Sequence, residues 1–205
     1  MNDGKQRGAG PSLIQEIRAK HPPFLEALIA DARLTAGYRG ERAKFRSRAD
    51  ALVQAVRLMV VSDAFLGQAL YRGKARLQQL GVPIVPRILH RLAMVTAQIC
   101  IGDPVVVQPG IYIAHGQVVI DGVVEIETGA VFFPWITVGL LAGNFKGATI
   151  GRHVHVGTGA KIIGPVTIGA NARIGANAVV LDDVPARATA VGAPARIVHK
   201  AAPGA

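Results

Sequence analysis

Counting in sixes from Ile150 lands on Ile150, Val156, Ile162, Ile168, Ile174 and Val180, six aliphatic residues in a row. Four of them are followed by glycine, at Gly151, Gly157, Gly169 and Gly175. Two places before each stands a small or β-branched residue: Ala148, Val154, Ala160, Val166, Ala172 and Ala178. The same phase runs back through Val138, Phe132, Ile126 and Ile120, giving ten positions in register. A period of six suits neither a helix nor a plain alternating strand; it belongs to a solenoid of short parallel strands, three hexapeptides to a triangular coil. The large aliphatic fills the interior, the small residue leaves it room, and glycine admits the tight approach at the corner.

The phase breaks twice. An earlier set, Ile101, Val107 and Ile113, is offset by one residue, so an extra residue is absorbed between 113 and 120, where His115 lies. In "LLAGNFKGA", residues 140–148, Asn144 stands where the phase calls for an aliphatic, which predicts a loop leaving the solenoid. Loops that project from rigid repeats carry binding groups.

Upstream the period changes to that of helices. "SLIQEIRAKH" puts Leu13, Ile14 and Ile17 on one face, and "PPFLEALIADARL" gives a stripe of Leu25, Leu28 and Ile29. Residues 45–62 and 63–79 repeat the pattern, with Ser62 or Asp63 as N-cap, and "RILHRLAMVTAQ" closes the series with His90 in a structural place. The expected fold class is α+β: a disordered tail over 1–10, a helical domain over 11–99, and a parallel β-helix over 100–200 that includes a C-terminal extension.

Composition narrows the function classes. Half of the 205 residues are hydrophobic but only 5% aromatic, so the core is built from Val, Ile, Leu and Ala. No apolar run approaches the length that crosses a bilayer, and "MNDGKQRGAGPS" lacks the apolar stretch of a signal peptide. One cysteine, Cys100, excludes an internal disulfide and fits a cytoplasmic protein. Residues 1–100 hold 16 Lys or Arg against 7 Asp or Glu, a surplus of +9, whereas 101–205 hold 7 against 6. The basic residues lie among helical apolar ones without interleaved aromatics or a recognised motif, so neither nucleic acid nor membrane is an expected partner.

Three segments resemble the serine acetyltransferases, within the wider hexapeptide-repeat acyltransferases, over about residues 60–200. They are "AFLGQALYR", "AHGQVVI" and "VGTGAKIIGPVTIGANARIGANAVVLDDVPARATAVGAPARIV". The last is shared by many hexapeptide acyltransferases and speaks for acyl-CoA; the helical half and "AHG" narrow the match. The resemblance implies a left-handed solenoid and a homotrimer, or a hexamer of two trimers. It implies an acyl-CoA-dependent acetyltransferase with acetyl-CoA as co-substrate, and His115 as general base toward a hydroxyl or amine of a small, amino-acid-like acceptor. By position, Gly139, Thr158 and Ala176 would meet CoA through their backbones, and Arg173 and Arg196 would face its phosphates. Eighteen-residue spacing would put Leu140, Thr158, Ala176 and Pro194 in one column.

The chain departs from the family at four places. Cys100 stands where the family keeps the aspartate that orients the histidine, which leaves a backbone carbonyl, Asp103 or Asp121 for that task. Ala114 replaces an aspartate that helps hold the amino acid, and Lys146 and Gly147 replace an arginine and a second histidine. Lys146 would hold a carboxylate as a point charge without arginine's fork. The expected acceptor therefore keeps an anionic group but differs from serine near the amine. The competing readings are a noncatalytic descendant that binds CoA or serves as a scaffold, and a zinc enzyme. His153 and His155 flank inward Val154 and should point outward with no histidine eighteen residues away, so no metal is expected.

Overall fold

A computed structural model describes residues 11–41 and 43–200; the tail expected over 1–10 lies outside the described residues. Five helices precede the strands: α1 (Pro11–Ala19), α2 (Phe24–Tyr38), α3 (Arg48–Val61), α4 (Phe65–Gln79) and α5 (Val85–Ala97). The first coil of the solenoid holds β1 (Ile99–Ile101), β2 (Val105–Val107) and β3 (Tyr112–Ile113). The second holds β4 (Val118–Ile120), β5 (Val123–Ile126) and β6 (Val131–Phe132). The third holds β7 (Ile136–Gly139), β8 (Lys146–Ile150) and β9 (His155–Val156); the fourth, β10 (Lys161–Ile163), β11 (Thr167–Ile168) and β12 (Arg173–Ile174). The fifth holds β13 (Val179–Val180) and β14 (Ala188–Val191), and β15 (Arg196–Lys200) turns back along it.

The strands stack into three parallel sheets: β1-β4-β7-β10-β13 (sheet I), β2-β5-β8-β11 (sheet II) and β3-β6-β9-β12-β14 (sheet III), the last joined by antiparallel β15. All ten in-phase residues, nine aliphatics and Phe132, are buried from Ile120 to Val180, and so are the small or β-branched residues two places before the last six. Gly157 shows why the corner wants glycine: a Cβ there would lie 2.8 Å from the backbone nitrogen of Ala176 in the next coil.

Register explains both interruptions. Ile101 pairs with Ile120, Val107 with Ile126 and Ile113 with Phe132, a spacing of nineteen rather than eighteen. The extra residue falls in the 114–117 corner. Ile126 pairs with Ile150 and Val138 with Ile162, twenty-four apart, because the loop over 140–145 leaves and returns between β7 and β8.

The helices are held to the open end of the first coil by α4, whose polar residues Gln68, Arg72, Lys74 and Gln78 are buried. Its side chains satisfy carbonyls that a preceding coil would otherwise meet. Gln68 donates to Ile111 O, Tyr71 to Val105 O, Lys74 to Ile101 O, and Arg72 to Val107 O and Gln108 O. Arg72 also grips the buried carboxylate of Asp31 on α2 through Nε at 2.8 Å and Nη2 at 3.1 Å. The same carboxylate accepts from the backbone of Gly110 and Ile111 at 2.9 and 3.0 Å. Part of the basic surplus is thus structural.

Three helical expectations need correction. The buried face of α2 is Ala27, Leu28, Asp31, Ala32, Thr35 and Ala36, while Leu25 is exposed, because small residues let α2 pack closely. On α1, Ile17 is buried but Leu13 and Ile14 are exposed. Neither Ser62 nor Asp63 caps α4: Ala64 occupies that position and Ser62 ends α3. The side-chain cap occurs at α3, where Ser47 accepts from the Asp50 nitrogen and Asp50 accepts from the Arg46 nitrogen.

Candidate active site

The inserted residue at the first corner between sheets III and I gives three consecutive left-handed residues: His115 (φ 61°), Gly116 (φ 85°) and Gln117 (φ 50°). Gly116 is required there, since a Cβ would lie 2.0 Å from the Ala97 carbonyl oxygen. Ala114 and Gly116 are buried on either side, so the backbone is fixed while the imidazole projects outward, 69% exposed. Backbone held in this sparsely populated region is a common mark of functional sites.

The ring does not stand alone. Its Nδ1 lies 2.7 Å from Oδ2 of Asp63, at the junction of α3 and α4. An ionised carboxylate only accepts hydrogen bonds, so Nδ1 donates, and in the neutral ring the lone pair is then on Nε2. The group found at Nδ1 is therefore Asp63 and not a backbone carbonyl, Asp103 or Asp121 as expected. Asp103 is taken by the buried Lys74 at 3.0 Å. Although burial by itself would raise Asp103, Lys74 and its hydrogen bonds hold the carboxyl below its ordinary value. Asp121 lies against Gly102 at a different corner, between sheets I and II. Cys100 sits on β1 opposite Val119; burial, then Asp121, pushes its thiol up, the opposite of what a nucleophilic cysteine needs. Asp63 escaped the sequence reading because its contact spans 52 positions; its only sequence signal was an acidic residue at the head of the helix preceding "FLGQALYR".

The residues expected to meet CoA separate into two groups. Thr158 and Ala176 are both exposed at the corner that His115 occupies, stacked by the Asn177 N to Thr158 O hydrogen bond of 2.8 Å. With stacked strands about 4.8 Å apart, they lie about 10 and about 14 Å along the solenoid from His115. Arg173 projects from β12 in the row formed with His155 and Thr189. Arg196 is exposed on β15, opposite Val191. Gly139 instead ends β7 at the corner between sheets I and II, opposite Ile163. Leu140 lies just past it and so does not share a column with Thr158 and Ala176. Pro194 does not either: Ile174 pairs with Ala190, sixteen residues on, so the eighteen-residue count overshoots.

On the acceptor side, Lys146 opens β8 at the end of the loop, pairs with Val123, and is exposed. Its backbone is pinned by Asn144 Oδ1 at 2.9 Å, and its ammonium has no ion-pair partner among the described residues. Gly147 is buried, and a Cβ there would lie 2.4 Å from Val124 Cγ2, so the valine fills the space a side chain would need. Ala114 is 4% exposed. His115 precedes β4 and Lys146 follows β7, and these strands are parallel neighbours; the two side chains therefore belong to opposite margins of sheet I.

The other histidines have structural surroundings. His153 occupies the left-handed corner position that Asn171 takes one coil later, and His155 Nε2 is 3.3 Å from Tyr38 Oη. Burial, helped by Arg173 and His153, lowers His155. His90 is half-buried on α5 and lowered mainly by burial. Among the described residues no group of three or more His, Cys, Asp or Glu side chains could hold a metal ion. No helix among them is long and apolar enough to cross a membrane.

Residues 147–182 match the bacterial transferase hexapeptide (six repeats) family. The serine acetyltransferase of Helicobacter pylori (strain J99) is 41% identical over 120 residues, covering 57% of this chain and 70% of that protein. That of Synechococcus elongatus is 36% identical over 128 residues, 60% of this chain and 52% of that protein, so the chain spans only about half its length. A solved serine acetyltransferase in complex with CoA, 26% identical, superposes with a TM-score of 0.71 over 91% of this chain and 74% of that one. The likeness thus extends over helices and solenoid together, and the chain belongs to the serine acetyltransferase family.

Proposed function

We propose that this protein is a CoA-dependent acetyltransferase that moves the acetyl group of acetyl-CoA to the hydroxyl of a small, serine-like acceptor, with His115 as general base. The observation that carries the reading is the His115 ring: exposed, fixed on a left-handed corner, and bound at Nδ1 so that Nε2 is free to take a proton. Nε2 removes the acceptor's hydroxyl proton as that oxygen attacks the thioester carbonyl. The C–S bond of the tetrahedral adduct then breaks, the departing thiolate takes the proton back from the imidazolium, and an acetyl ester and CoA are left. A noncatalytic scaffold is not favoured, since it would have no use for a histidine held in this way.

The pantetheine arm runs along the His115 corner past Thr158 and Ala176, with Arg173 and Arg196 toward the phosphates. Lys146 takes the acceptor's carboxylate. Gly139 and Lys146 lie across sheet I from His115, so the full site forms where one copy's loop corner meets the next copy's histidine corner. That is the support for a homotrimer. Exposed apolar residues flank this sheet, Trp135 at 61%, Phe145 at 53% and Leu181 at 49%, as a face covered by another copy requires. Exposed Val53, Val56 and Val60 on α3 offer a surface by which two trimers pair. Acetyl-CoA as donor and a single free cysteine fit a cytoplasmic enzyme.

The test is thiol release from acetyl-CoA with L-serine and serine analogues as acceptors. His115→Ala should lose about 10²–10⁴-fold in kcat while still binding acetyl-CoA. Lys146→Ala should raise the acceptor KM more than the acetyl-CoA KM. Parental turnover by His115→Ala would remove the general base from this reading.

A further inference from the structure

We infer that Asp63 performs in this chain the orienting task that position 100 has lost. It is a positioning residue for His115, delivered to the solenoid from the helical domain. The inference rests on the reading of His115 as general base. Its geometric ground is the 2.7 Å contact between Asp63 Oδ2 and His115 Nδ1.

Both backbones are fixed where they meet. The residues after Asp63, Ala64 and Phe65, are fully buried, and Ser62 N bonds to Leu58 O at 3.0 Å. Ala114 and Gly116 are likewise buried around His115. Two exposed side chains, 69% and 68%, thus face one another without having to find each other by chance. No other described carboxylate is in place to do this, since Asp103 is engaged by Lys74 and Asp121 lies at another corner. Cys100, on β1, carries a thiol in place of the charge.

Asp63 fixes the ring rotamer, selects the tautomer with the lone pair on Nε2, and favours the imidazolium formed when Nε2 takes the proton. A carboxylate here could instead bind an ammonium group of the acceptor. The two roles separate cleanly, because loss of an acceptor contact raises KM whereas loss of a positioned base lowers kcat.

The experiment compares the parent, His115→Ala, Asp63→Asn and Asp63→Glu in steady-state acetyl transfer from acetyl-CoA to L-serine. It is paired with ¹⁵N-correlated NMR of the His115 ring in the parent and Asp63→Asn. The expected result for Asp63→Asn is a kcat lower by about 10²-fold, an L-serine KM within about threefold of the parent by the same reasoning, and a ring shifted toward the Nε2–H tautomer. Asp63→Glu should recover part of the rate. If His115→Ala is inactive but Asp63→Asn keeps the parental kcat and tautomer, the positioning role falls and the general base stands. A raised KM at unchanged kcat overturns it in favour of acceptor binding. If His115→Ala turns over like the parent, the general base and this inference fall together. Should L-serine not be turned over, an unchanged tautomer in Asp63→Asn still overturns the inference, and a changed one supports it.

Discussion

Asp31→Ala is the substitution that most directly tests how the two halves of the molecule are joined. Asp31 is fully buried and its side chain accepts four hydrogen bonds, two from Arg72 and one each from the nitrogens of Gly110 and Ile111. Removing it leaves a guanidinium that is 3% exposed without a counter-charge, and breaking one side of such a pair costs about 3–5 kcal/mol. The two stranded N–H groups add to this at about 1–3 kcal/mol each, less whatever water entering the vacated space restores. An estimate of about 4 kcal/mol follows from these opposing contributions. The double variant Asp31→Ala, Arg72→Met removes both charges. It should cost less than the sum of the two single changes, with a coupling on the order of 2 kcal/mol. Urea unfolding followed by far-UV circular dichroism, at one protein concentration throughout, measures all four corners of the cycle. Hydrogen exchange of β2 amides reports whether the loss is local. Asp31→Ala within about 1 kcal/mol of the parent, or strictly additive variants, would refute the clasp as an energetic unit.

Two further outcomes follow from buried positions. His21 is 7% exposed with neither ring nitrogen hydrogen-bonded among the described residues, and burial, followed by Arg72 and Lys74 and opposed by Asp103, lowers it from 6.5 to about 4. Its folded value lies below its unfolded one, so its contribution is fully present above 6.5 and fades as pH falls toward 4. That fading amounts to about 3 kcal/mol. His21→Leu should remove that share of the pH dependence in parallel urea titrations, and an unchanged slope would count against it. Gly147→Ala should cost about 1–3 kcal/mol by overpacking against Val124, with Val124→Ala restoring part of it; a Gly147→Ala protein as stable as the parent by thermal melting would show that this wall yields.

The solenoid was legible in the sequence because each coil repeats the same packing problem, so period alone reports the interior. The extra residue near His115 and the excursion around Asn144 showed as phase errors for the same reason. Counting failed where it was carried across an interruption. Thr158 and Ala176 do stack, being separated by one unbroken coil, but six inserted residues displace Leu140 from their column and a shortened fifth coil displaces Pro194. The helices hid more. Half of the buried face of α2 is alanine, which hydrophobic periodicity weights lightly, and Asp31 and Arg72 look like surface charges until the strand edge they serve is seen. Asp63 reads as a cap because its local setting allows one; its actual partner is His115 on the solenoid, 52 positions on and beyond the reach of local pattern.

The polar face of α4 also sets where this architecture can be lengthened. A first coil whose carbonyls are already bonded to Gln68, Tyr71, Arg72 and Lys74 offers no docking edge to a coil added before it. At the other end, β15 runs antiparallel along β14 and interrupts the parallel stack. Both ends are therefore stoppers, and a new coil has to enter between them, most naturally as an eighteen-residue module between 150 and 180 where the register is unbroken. Each such module would move the far end of the groove proposed for CoA one step of about 4.8 Å from His115 while leaving the histidine and its aspartate in place, so the solenoid works as a ruler whose zero mark is fixed by the helices.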